Sequence, residues 1–189
     1  LAVLELDVAL AAQTLISRPF VVGVLLGALA GAPEMGALFG AAFELLSLGD
    51  LPLGGHLTWS TSVAAGVSSL LAGGGCAFPV SLAAGIFAGL IHSRIEAFER
   101  AQRVATGEVL AGLAVGGGAS LGRALGGSLA IHAAMTFAVS LSVLALGETF
   151  NRQWWPLFPE FVRGGVSFAA DNAPWIALSG VAAWGLRRM

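Results

Sequence analysis

Lysine is absent from all 189 residues, and charged residues of either sign make up only 11% of the chain. Without lysine there is no Walker A loop, whose lysine contacts nucleotide phosphates. With so little charge the chain cannot cover a water-facing surface, because soluble domains carry about 25% charged residues. A lipid-facing surface has the opposite requirement, since each charge at the bilayer centre costs roughly 2.5–3.5 kcal/mol on insertion scales. A net charge of -2 offers no basic footprint for nucleic acid. The single cysteine, Cys76, permits neither an internal disulfide nor a cysteine-based zinc site; it reads as a small apolar residue in a glycine-rich turn. The three histidines lack metal-ligand spacing. No metal or other cofactor is expected, and no nucleophile–base pairing marks the chain as an enzyme by itself. Positive charge is also missing near the start, where Glu5 and Asp7 stand in place of a basic signal-peptide region. Residues 1–16 therefore read as an amphipathic helix at the membrane face, or as the rest of a longer first segment.

What is present is apolar: 57% of residues are hydrophobic and the mean hydropathy is +0.86. Glycine, at 27 residues, lies inside apolar runs rather than in polar linkers, which points to close helix packing. The expected fold is an all-α integral membrane protein of re-entrant helical hairpins and transmembrane helices, in one membrane domain. Pro19 to Pro33 is uncharged but, at 1.5 Å per residue, only roughly 22 Å long, short of a hydrocarbon core of ~30 Å. Gly36 to Leu48 is similarly short. Joined by Gly31-Ala32-Pro33, the two read as a hairpin that dips into the bilayer. Such backbone survives at depth only where protein or water surrounds it. Residues 19–92 form this hairpin and core region, with further helices at about Trp59–Leu71 and Phe78–Ile91. A polar stretch, 93–108, reads as a cytoplasmic-surface helix in which Glu96 precedes Arg100 by four residues. Residues 109–189 read as a re-entrant segment, Val109–Leu121, and two spans, Ala124–Gly147 and Gly164–Leu186. Between those spans, Trp154 and Trp155 suit a headgroup-level aromatic belt. The arginine clusters, Arg94/Arg100/Arg103 and Arg187/Arg188, place their ends in the cytoplasm of a multi-pass protein. Gly23, Gly27 and Gly31 form a small-residue ridge for helix contact.

Glu44 is the most informative polar position. It lies in an apolar run with no basic residue nearby in sequence, so it must be hydrogen-bonded, neutralised or beside water. A sugar hydroxyl is a natural partner; a structural hydrogen bond to a backbone break is the alternative. Next comes Leu48-Gly49-Asp50-Leu51-Pro52-Leu53-Gly54-Gly55-His56, an unwound segment that could present backbone groups to a substrate, or an ordinary turn. His56 is a candidate lining residue. His92 reads as interfacial, His132 as a helix-packing hydrogen bond, and Asp171-Asn172 as a second polar pair.

The order Ser17-Arg18-Pro19-Phe20-Val21-Val22-Gly23, Leu26-Gly27, Gly31, Met35-Gly36, Gly40-Ala41, Glu44-Leu45-Leu46, Leu48-Gly49 and Leu53-Gly54-Gly55 resembles the N-terminal signature of the mannose/fructose/sorbose family of phosphotransferase-system enzyme IIC. The resemblance implies a sugar-channel subunit. It would bind a mannose-, fructose- or sorbose-type sugar from the periplasmic side and form the translocation path with a IID subunit. Phosphoryl transfer would come from a phosphohistidine on IIB, supplied by IIA. It also implies an oligomer in the lipid bilayer, multi-pass in the bacterial cytoplasmic (inner) membrane, and no phosphorylated residue on this chain. Carried onto this sequence, the sugar-binding positions are Glu44, Gly49, Gly54, Gly55, His56 and Ser60. Two departures stand out. Many members follow the glycine loop with a Pro-Asp pair, where this chain has Trp59-Ser60, and this chain ends about two helices early for the family. They suggest an alternative, a non-transporting regulatory or scaffold subunit of the same fold.

Overall fold

A computed structural model describes residues 1–2, 16–47, 59–115 and 118–186, and the described residues are helical apart from short connections. The helices are α1 (Pro19–Leu29), α2 (Pro33–Ser47), α3 (Thr61–Gly73), α4 (Phe78–Val115), α5 (Gly118–Thr149), α6 (Glu160–Asp171) and α7 (Ala173–Leu186). A π-helical turn, Phe150–Trp154, and a 3₁₀ turn, Trp155–Leu157, lie between α5 and α6. Among the described residues two segments are long and apolar enough to cross a membrane, Phe78–Gln102 in α4 and Gly126–Leu157 from α5 onward.

α1 begins where a proline fits best, at the first helical positions, whose N–H groups would lack intrahelical partners anyway. It ends at Ala30-Gly31, where Gly31 takes φ 79°, a left-handed conformation favourable to glycine. α2 then folds back antiparallel along α1. A Cβ added to Gly27 would lie 2.7 Å from Gly36 Cα, and one on Gly40 would lie 2.8 Å from Phe20 Cα. Gly23 likewise abuts the Gly36 carbonyl. The two backbones thus touch directly through Gly23, Gly27, Gly36 and Gly40. Gly31, by contrast, faces open space and serves the turn rather than the contact.

α3 packs on both helices of this hairpin and is buried continuously from Ser62 to Ser69. Its C-terminal Gly73 meets Ala30, and its N-terminal Ser62 hydroxyl donates to the Ser17 carbonyl at 2.5 Å. α1 and α3 therefore run parallel. α4 returns antiparallel to α3: Gly85 packs against Ser68, and the Ser60 N–H donates to the Gly89 carbonyl at 3.2 Å. Phe39 stacks on Phe78 at 4.8 Å, and Phe43 meets Trp59 edge-on, filling the core between hairpin and α3–α4.

Several sequence boundaries move. The polar stretch 93–108 and the segment 109–121 are not separate pieces up to Val115, because α4 is continuous for 38 residues. At 1.5 Å per residue that is about 57 Å, nearly twice the hydrocarbon core. Gly164–Leu186 is not one span: the helix breaks at Asn172, whose side chain donates to the Phe168 carbonyl at 2.7 Å, and Pro174 follows within the first turn of α7. The stretch between the two expected spans, after Gly147, stays helical through Trp154. Its Asn151 Oδ1 accepts the Ala77 N–H at 2.9 Å, joining α5 to the α3–α4 turn. The N-terminal amphipathic helix falls mostly outside the described residues, at 3–15.

Candidate functional site

The hairpin brings the ends of α1 and α2 together, and with them Arg18 and Glu44. One guanidinium N–H of Arg18 donates to Glu44 Oε1 at 2.7 Å, and the Phe20 N–H donates to Glu44 Oε2 at 3.3 Å. The second bond satisfies one of the four N–H groups a helix start leaves open, and a carboxylate suits the positive end of the helix dipole. Glu44 is thus an anchored carboxylate, with its side chain 20% exposed, while Arg18 is 54% exposed. Each of its oxygens has further acceptor capacity. Sequence spacing concealed the cation, because Arg18 lies 26 residues away and meets Glu44 only when the hairpin closes.

Depth follows from the packing. Ser60 is bonded to Gly89, and Gly89 lies near the middle of the apolar stretch Phe78–Gln102. Ser62, bonded to Ser17, ties the Arg18 end of α1 to the same level. Ser60 sits just before α3, and its carbonyl accepts the Ala64 N–H at 3.1 Å. Gly49, Gly54, Gly55 and His56 lie outside the described residues; the segment carrying them starts just after α2 and ends just before Trp59. The structure therefore brings Glu44 and Ser60 to the two ends of that segment.

A second polar group, not read as a site from sequence, lies between α4 and α5. His92, Glu99, His132 and Thr136 are all buried. His132 Nδ1 is 2.8 Å from Glu99 Oε2, and His92 Nε2 is 2.9 Å from Thr136 Oγ1. This corrects two expectations. His92 is 1% exposed rather than interfacial, and Glu99, at 7%, does not belong to a solvated face. The signal available in the sequence was spacing: His92 and Glu99 are seven apart on one helix, and His132 and Thr136 four apart on the other, so each pair shares a face.

A cavity of about 390 Å³ also opens between α4 and α5, near their Phe78 and Thr149 ends. Ala83, Phe87, Val143, Leu146, Phe150 and Trp154 line it, so it suits an acyl chain better than a polyol. Among the described residues no group of three or more His, Cys, Asp or Glu side chains could hold a metal ion. Cys76, in the turn before α4, is buried, and burial pushes its thiol above the ordinary range, with Glu148 adding to the shift and Arg152 opposing it.

Comparison with known proteins gives one result. The family model described as the phosphotransferase-system sorbose-specific IIC component matches residues 1–178. No curated protein and no solved structure matches the chain.

Proposed function

The chain belongs to the sorbose-specific IIC family of the phosphotransferase system, as a membrane component of sugar transport, and on that premise we propose that it binds its sugar at the Arg18–Glu44 end of the α1–α2 hairpin. The reading rests on one observation: an anchored carboxylate is held level with the middle of an apolar spanning segment. At 11, 15 and 13 residues, α1, α2 and α3 are each shorter than a bilayer crossing. The α1–α2 pair is therefore a re-entrant hairpin, sheltered from lipid on one side by α3. Its tip at Gly31 lies toward one face and its open end at mid-depth. Gly49, Gly54, Gly55 and His56, together with Glu44 and Ser60, are the sugar-contacting positions of this proposal.

Neutral sugars are recognised through hydroxyls, and an ionised carboxylate accepts such hydrogen bonds with about twice the strength of a neutral acceptor. Glu44 fits that task because Arg18 and the Phe20 N–H fix its position and leave it lone pairs to spare. A IID subunit completes the translocation path. IIB then phosphorylates the sugar as it emerges, so this chain needs no catalytic residue. Arg94 and Arg100 lie beyond Gly89 along α4, which puts that end of α4 in the cytoplasm and the Gly31, Gly75 and Trp154 turns on the periplasmic side.

The test is sugar binding by the purified IIC–IID complex. Loss of a hydrogen bond to a charged group costs about 1.5–3 kcal/mol, so Glu44→Gln should weaken binding by roughly one to two orders of magnitude. Membrane insertion and yield should stay unchanged. Arg18→Gln should weaken binding less, because exposed ion pairs contribute only about 0–1 kcal/mol. Unaltered affinity in Glu44→Gln would remove this carboxylate from the site.

A further inference from the structure

The His92–Thr136–His132–Glu99 group plays no part in the sugar reading, and its hydrogen bonds determine where protons sit. Thr136 has one hydroxyl proton, which it donates to the His132 carbonyl at 2.9 Å. It can therefore only accept from His92, so His92 carries a proton on Nε2. His92 Nδ1 is buried without a hydrogen-bond partner, and so is His132 Nε2. His132 is 2% exposed and shares its other ring nitrogen, Nδ1, with the Glu99 carboxylate. The two rings lie edge to face, 5.5 Å between centroids.

We propose that this cluster is a single-proton site joining the two spanning helices, with His132 taking the proton at Nε2 and His92 remaining neutral. His132 is the acceptor because imidazolium formation there leaves Nδ1–H facing a carboxylate, whereas protonated His92 would face a hydroxyl. Two imidazolium rings at this separation would repel, so occupancy stops at one. The surrounding charges do not offer a competing acceptor. On α4, Glu96 is engaged by Arg100 at i,i+4. α3, packed on both helices, has no titratable side chain. α5 contributes Arg123, which is exposed, and Glu148, which is paired with Arg152. α6, packed on α4, contributes Glu160, Arg163 and Asp171. Proton uptake turns the α4–α5 cross-link from a hydrogen bond between a neutral ring and a carboxylate into a buried ion pair and strengthens it. Helix separation thereby becomes sensitive to pH.

The full chain, labelled with ¹⁵N-histidine in detergent micelles, tests this without any sugar, so its outcome is independent of the sugar-site reading. His92→Asn and His132→Asn variants supply the assignments. Between about pH 8 and pH 5, where histidine titrates, the His132 Nε2 resonance should move from the bare to the protonated range. His132 Nδ1 should stay protonated, and His92 should keep its Nε2–H form. In Glu99→Gln the His132 transition should disappear from this window. A wild-type His132 that stays neutral down to pH 5, or a His92 that takes the proton instead, overturns the assignment. So does an unchanged transition in Glu99→Gln.

Discussion

Replacing Gly27 by alanine tests the glycine contact on which the hairpin depends. The new Cβ would lie 2.7 Å from Gly36 Cα and 2.8 Å from the Ala32 carbonyl oxygen, where ordinary contact begins at 3.4 Å. Both neighbours are backbone, so no rotamer change relieves the clash, and the helices must part by at least about 0.7 Å. Overpacking of this kind costs about 1–3 kcal/mol. The higher helix propensity of alanine returns about 1 kcal/mol. A net loss of roughly 0–2 kcal/mol follows, and for a chain of this size each kcal/mol corresponds to about 2–4 °C in Tm. Gly126 is the matched control: it lies inside α5 with nothing within 4 Å of an added Cβ. Gly126→Ala should keep its propensity gain and raise Tm slightly. Thermal unfolding of both variants in one detergent reads the difference. If Gly27→Ala proves as stable as Gly126→Ala, the backbones of α1 and α2 do not meet as described. Gly27→Leu should go further and disrupt the hairpin's packing, seen as loss of monodisperse protein after extraction.

Two more predictions concern the turns. Gly31→Ala meets no clash but forces a side chain into left-handed backbone, which costs about 1–2 kcal/mol. Gly31→Asn should recover part of the lost Tm, because asparagine tolerates that conformation. Cys76, buried and with its thiol raised, holds little thiolate at neutral pH. Maleimide should label it slowly in the folded protein, faster as pH rises above the ordinary thiol range, and fully only after unfolding; fast labelling at pH 7 would contradict its burial.

The membrane class was legible because composition alone forbids a wetted surface, and the hairpin's outline because Gly31 and Pro33 punctuate an apolar run. Contacts between distant residues were not. Nothing local marks Arg18 as the partner of Glu44, or His132 as the partner of Glu99, since each pair forms only when helices cross. Charge counting also misled: Arg94, Glu96, Glu99 and Arg100 look like one solvated face. On a helix, however, Glu99 turns with His92 toward α5 while Arg94 and Arg100 turn outward. The run Gly164–Leu186, charged only at Asp171, carries its own interruption in Asn172 and Pro174, whose effect on backbone bonding outweighs hydropathy.

One consequence concerns the placement of α3. α3, Thr61–Gly73, contains three serines in 13 residues, Ser62, Ser68 and Ser69. At 13 residues it is too short to cross a bilayer unaided. Its hydroxyls are quenched by the rest of the protein: Ser62 by the Ser17 carbonyl, Ser68 by the Ser81 carbonyl at 3.0 Å, and Ser69 by its own turn at Ala65. The long apolar rods of α4 and α5 can enter the bilayer independently. α3 sits in a slot walled by those two helices and the glycine hairpin, so its place in the bilayer depends on their packing.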